Sequence, residues 1–175
     1  MMSIVKVPQL KIIGRIALAN QIDPNGSFYS LWQDLNDDPQ MSQVDQQLQE
    51  QVGQTNRVGL VVYAPESYLY WAGVAVPTTF STPQDWQSYL LPAGQAFEVT
   101  QATPEFMPQI PLNFKLDQIF AQAEKENVQL PDSLGHAQQP YFLEELKFND
   151  INHVEQQRYL VYLSDEIEAL EDDLG

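Results

Sequence analysis

Glu144 is the residue of this chain whose setting most suggests chemistry. It lies in Tyr141-Phe142-Leu143-Glu144-Glu145-Leu146-Lys147-Phe148. As a strand, this segment alternates between faces, which puts Phe142, Glu144, Leu146 and Phe148 together and Leu143, Glu145, Lys147 and Asn149 on the other side. The first face is the apolar one. An ionised carboxylate there is costly to desolvate, so an unpaired Glu144 either takes up a proton or recruits a cation. The matching element in the first half of the chain, Val58-Gly59-Leu60-Val61-Val62-Tyr63, carries no charge. Glu145 takes the place of Glu144 if the register slips by one.

Other reactive groups are scarce. The chain has no cysteine, and its two histidines, His136 and His153, lie in polar, turn-like surroundings without ligand spacing, so no metal site is expected. No Gly-rich phosphate loop or Gly-x-Ser-x-Gly elbow is present, and no cofactor is expected. A net charge of −16 argues against direct nucleic-acid binding and favours cationic ligands. Part of it is concentrated in an acidic tail over 165–175, expected to be a solvated end. Lys6, Pro8, Lys11 and Arg15 interrupt any apolar leader, and no apolar run is long enough to cross a bilayer. With the absence of cysteine, this fits a cytoplasmic protein and no membrane partner.

The elements that must position Glu144 follow from periodicity. Residues 11–18 read as a strand. Asp23-Pro24-Asn25-Gly26 is a turn, Ser27 is the expected N-cap, and Phe28, Leu31, Trp32 and Leu35 form one helical face. Met41, Val44, Leu48 and Val52 mark a second, weaker helix. Strands over 58–63 and 68–76 form a hairpin, with a loop over 77–84. A short strand over 86–91, a Pro92-Ala93-Gly94 turn and a strand over 95–101 follow. Residues 103–111 read as irregular, Leu112, Leu116, Ile119, Phe120 and Ala123 as a helix, 132–140 as turn-rich, and 158–163 as the last strand. A hydrophobic share of 43% is enough for a core, so the chain reads as one α+β domain over 1–175. It is organised as a duplicated βαββ unit, repeat one about 5–80 and repeat two about 86–164. A pseudo-twofold between them would leave mainly antiparallel sheets around a cleft, a favoured ligand position.

Several segments, in this order, resemble the GyrI-like effector-binding domain of the SOUL/gyrase-inhibitor fold. They are Val7-Pro8-Gln9-Leu10-Lys11-Ile12-Ile13-Gly14, Leu31-Trp32, Tyr70-Trp71-Ala72-Gly73-Val74-Ala75-Val76, Leu91-Pro92-Ala93-Gly94-Gln95-Ala96-Phe97, and the stretch around Phe142. The likeness spans residues 3–164. It implies binding of lipophilic, often cationic or planar compounds between the repeats, against a glutamate lined by rings. Glu144 is the matching position, although Leu146 stands where the family pattern has a tyrosine. The implied ligand-binding set is Glu144, Tyr70, Trp71, Tyr68, Phe142, Trp32 and Tyr162. Tyr70 and Trp71 cannot both face the cleft from a regular strand, so Tyr70, on the face of Tyr68, Ala72, Val74 and Val76, is favoured and Trp71 is a pocket edge. Trp32, on the first helix, suits plain core better. No helix-turn-helix precedes Val7, so a DNA-binding activator is not expected. Two alternatives stay open: a hydrolase of a strained, cyclopropanoid-type toxin with Glu144 as its catalytic acid or base, and an inhibitor that recognises a protein partner.

Overall fold

The computed structural model describes residues 2–64, 67–100, 111–127, 141–150 and 153–163. In chain order the elements are β1 (Met2–Val7), β2 (Leu10–Leu18), α1 (Tyr29–Asn36), α2 (Met41–Val52), β3 (Thr55–Ala64), β4 (Ser67–Val76), β5 (Gln87–Leu91), β6 (Gly94–Thr100), α3 (Leu112–Lys125), β7 (Tyr141–Asp150) and β8 (His153–Tyr162). The class is α+β, as the alternation of period-two and helical patterns implies. Residues 65–66, 103–110 and 132–140 (with His136) and the acidic tail over 165–175 lie outside the described residues.

Among the described residues, α1, α2 and α3 follow their apolar spacing. In α1 the buried residues are Trp32 and Leu35. Its N-cap position is Phe28 rather than Ser27: the Ser27 hydroxyl accepts only a long bond from the Tyr29 N–H, 3.4 Å. Asp23 instead reaches across the turn and accepts the Ser30 N–H at 2.9 Å, filling the role a cap side chain usually plays. In α2, Met41, Val44 and Leu48 are buried, but Val52, in the last turn, is 56% exposed. Gly53, at φ 82°, closes this helix in the left-handed conformation that glycine adopts without steric cost. Leu112, Leu116, Ile119 and Ala123 form the buried stripe of α3.

The strands form one curled, eight-stranded sheet in the order β1-β6-β8-β7-β3-β4-β2-β5. Every neighbouring pair is antiparallel. β3 and β4 make the expected hairpin. β1 was not foreseen as a separate strand. It is a short edge element with Lys6 in it and Ile4 54% exposed, so its alternation is weak, and its place is set by pairing with β6. His153 opens a strand rather than sitting in a turn.

Each face of the sheet carries its own apolar core. Trp32, Leu35, Leu48, Tyr70, Leu116 and Ile119 belong to the core beneath the helices. Leu60, Trp71, Leu91, Leu143, Leu160 and Tyr162 belong to the other. β7 lies mid-sheet, so residues 141–146 are all buried. The alternation in this strand therefore separates two cores, and not a core from solvent. Among the described residues no helix is long and apolar enough to cross a membrane.

Candidate functional site

Pairing of β7 with β3 on one side and β8 on the other sets Glu144 opposite Gly59 and Tyr159. Its neighbour in the strand, Phe142, belongs to the core under the helices, and Glu144 itself is 4% exposed. The carboxylate is paired. Lys115, from the first turn of α3, donates to Glu144 Oε1 at 3.0 Å, and both side chains are buried. Separating such a pair by deleting one partner typically costs about 3–5 kcal/mol.

The second oxygen faces β8. Gln157 Nε2 lies 3.5 Å from Glu144 Oε2 and donates to the Tyr159 hydroxyl at 3.2 Å. The Tyr159 hydroxyl is also hydrogen-bonded to Glu144. Burial first, then the nearby Glu144 charge and that hydrogen bond, push the Tyr159 phenol well above its ordinary range. The same two leading causes, burial and then Glu144, raise Tyr70.

Tyr70 reaches this region because Gly59 has no side chain. A Cβ on Gly59 would lie 2.7 Å from the Tyr70 hydroxyl. That hydroxyl accepts the Trp32 Nε1–H at 2.9 Å, and the Tyr70 ring stacks on Phe28 with centroids 4.2 Å apart. Phe28 in turn meets Tyr68 edge-on at 6.3 Å. Across the sheet, Phe142 stacks with Tyr159 at 6.0 Å. The result is a carboxylate and an ammonium set among aromatic rings, with two tyrosine hydroxyls and an amide close by. It can hold a charged group against apolar surface, and it can orient a polar atom toward the carboxylate.

Of the residues singled out from sequence, Tyr70, Phe142 and Trp32 share the core under the helices, with Tyr68 packed against it, and Glu144 meets Lys115 of α3 on that side. Trp71 and Tyr162 are on the other face. There Trp71 packs on Tyr89 and Tyr162 on Tyr141. The Trp71 Nε1 and the Tyr162 hydroxyl are buried without a hydrogen-bond partner among the described residues. Glu145 also points to that side, where Arg158 Nε donates to it at 2.8 Å.

Sequence reasoning missed Lys115, Gln157, Tyr159 and Gly59. Two of these left a signal. Lys115 interrupts the apolar stripe Leu112, Leu116, Ile119 at helical spacing, and Gly59 is a lone glycine inside a strand pattern. Tyr159 and Gln157 depend on the β7–β8 register, which no local pattern reveals.

No protein-family model matches this sequence, and no curated protein does. Solved structures share the fold. A protein from Staphylococcus aureus MU50, provisionally described as a bacterial transcription regulation protein, superposes with TM-score 0.60 at 9% identity, covering 94% of this chain and 98% of that one. An integron cassette protein from the mobile metagenome of Vibrio cholerae gives TM-score 0.56 at 11% identity, covering 92% and 94%. A third, a protein bound to tetraphenylphosphonium, gives 0.54 at 8% identity, covering 94% of each chain.

Proposed function

We propose that this protein binds a lipophilic small-molecule cation on the helix-covered face of the sheet, with Glu144 as its counter-charge. The observation that carries the reading is the setting of Glu144: a carboxylate 4% exposed, with the Tyr70 and Tyr159 phenols close to it and Trp32 and Phe142 in the same core, whose charge is answered by a cation from another element. Aromatic rings around a cation add about 0.5–2 kcal/mol each, and Tyr70 and Tyr159 are the rings tied most closely to the carboxylate. Tyr68 extends the ring cluster from the side of Phe28. Trp71 and Tyr162, across the sheet, serve the scaffold in this reading.

The strand order supports a duplicated architecture, with four strands in each half where the expected βαββ unit has three. Exchanging β1–β4 for β5–β8 turns β1-β6-β8-β7-β3-β4-β2-β5 into its own reverse. The axis of such a pseudo-twofold passes between β7 and β3, beside Glu144 and Gly59. A protein of the same fold bound to tetraphenylphosphonium adds weight to a lipophilic cation as the ligand class. The resemblance to GyrI-like effector-binding domains points the same way.

The test is calorimetric. Glu144→Gln should weaken tetraphenylphosphonium binding by roughly tenfold or more, and leave the neutral triphenylphosphine oxide nearly unchanged. Equal losses for both compounds would refute a charge-anchoring glutamate.

A second reading has its own observation. The Tyr159 hydroxyl, held on Glu144 and joined by Gln157, would place a water or a leaving atom beside a general base. Turnover of a strained, cyclopropanoid electrophile that disappears in Glu144→Gln would establish a hydrolase. A flat time course with the wild type would dismiss it.

A further inference from the structure

We infer that Lys115 is a built-in occupant of the Glu144 site, so that a ligand cation enters by exchange with it and Lys115 sets which cations qualify. The inference rests on the reading of Glu144 as the anchor.

Three observations carry it. The Lys115 ammonium lies 3.0 Å from Glu144 Oε1, and the two side chains are 9% and 6% exposed. An added cation beside it would place two like charges on one buried carboxylate, which disfavours both. One must leave.

The position of Lys115 on α3 is the second observation. It falls in the first turn, on the buried stripe with Leu112, Leu116 and Ile119. A cation there opposes the positive end of the helix dipole, so the helix gains nothing from it. Among the described residues it is Glu144 that makes the burial tolerable, and Lys115 fits this place as a partner of the carboxylate.

The third is how the two partners are held. Glu144 is fixed mid-sheet by neighbours on both sides. The start of α3 is tied by the Leu112 N–H to the Gly26 carbonyl at 2.9 Å. Lys115, by contrast, is a point charge on a flexible four-carbon stem. Its ammonium can swing away by side-chain rotation while α3 stays in place. A small, strongly hydrated cation offers no apolar surface in return for displacing it. A cation wrapped in rings does, because its own apolar surface leaves water for the surroundings of Trp32, Tyr70 and Tyr159, rings that are already buried. Lys115 thus acts as a threshold that excludes hydrophilic cations.

Titration calorimetry with tetraphenylphosphonium on the wild type, Lys115→Met and Glu144→Gln tests this. Lys115→Met should bind roughly tenfold tighter than the wild type, and Glu144→Gln weaker. If Lys115→Met binds equally or more weakly while Glu144→Gln still loses affinity, exchange is overturned and the anchor stands. If Glu144→Gln binds like the wild type, or no form binds, the anchor reading falls and exchange falls with it. Should Lys115→Met not fold, reductive methylation of the wild type replaces it. Saturating tetraphenylphosphonium should raise labelling of Lys115 relative to the exposed Lys125, whereas unchanged or lower labelling overturns exchange.

Discussion

Glu144 and Glu145 are adjacent in sequence and almost equally buried, at 4% and 5% exposed, yet the sheet sends them to different cores with different partners. Glu145 is answered by Arg158, its direct partner across the β7–β8 ladder. Arg158 donates at 2.8 Å to Glu145 and at 2.8 Å to Glu98 on β6. This strap of side chains crosses three strands with a rigid guanidinium at its centre. Burial alone would lower the Arg158 pKa, but Glu145 and Glu98 outweigh it and raise it, so the charge is locked in. Glu144 is answered from a helix by a flexible lysine among aromatic rings. A planar, five-donor fork and a mobile point charge are not interchangeable. The difference teaches that a buried carboxylate is a fixture or a receptor according to what neutralises it.

The comparison breaks most forcefully at Arg158. Arg158→Met leaves Glu145 and Glu98 facing each other with the more distant Lys147 ammonium, 3.8 Å from Glu145, in place of the guanidinium, and should lower stability by about 3 kcal/mol in urea unfolding, with tetraphenylphosphonium affinity nearly intact. A large loss of affinity at unchanged stability would erase the distinction between the faces.

Next is Gly59→Ala. The added methyl lands 2.7 Å from the Tyr70 hydroxyl and must push the ring away, costing about 1–3 kcal/mol and weakening binding as well. A neutral result in both assays would mean that Tyr70 does not shape the site.

The smallest effect is in alkaline titration. Burial is the leading cause that raises the phenols of Tyr70 and Tyr159 on one face and of Tyr89 and Tyr162 on the other. Unfolded phenols lose their protons near pH 10 and these lose theirs later. Stability is therefore intact below about pH 10 and falls as pH rises through the folded values. Glu144 adds to the shift only at Tyr70 and Tyr159. Glu144→Gln should accordingly bring those two phenolic transitions down, followed by absorbance at 295 nm, and leave Tyr89 and Tyr162 unmoved.

Much of this was legible in the chain. Amphipathic spacing placed α1, α2 and α3, and alternation placed most strands. It also put Glu144 and Phe142 on one side of β7, with Tyr70 facing away from Trp71. Local patterns do not encode which strands lie side by side. The β7–β8 register decides that Tyr159, and not Tyr162, meets the carboxylate, and the packing of α3 on the sheet brings Lys115 to it. Alternation also made β7 look one-sided, since nothing in its own residues reports that it lies mid-sheet. The Ser27 cap failed for a related reason: Asp23 took its place from across the turn.

The central claim is most directly tested by anomalous diffraction from crystals soaked with tetraphenylarsonium, whose arsenic marks the bound cation. The account predicts a peak on the helix-covered face beside Glu144, with the Lys115 ammonium moved off the carboxylate. Beside Glu145, a pocket of about 320 Å³ lies against Lys147, Asn56 and Leu48. A peak in that pocket, with Lys115 and Glu144 still paired, would contradict it.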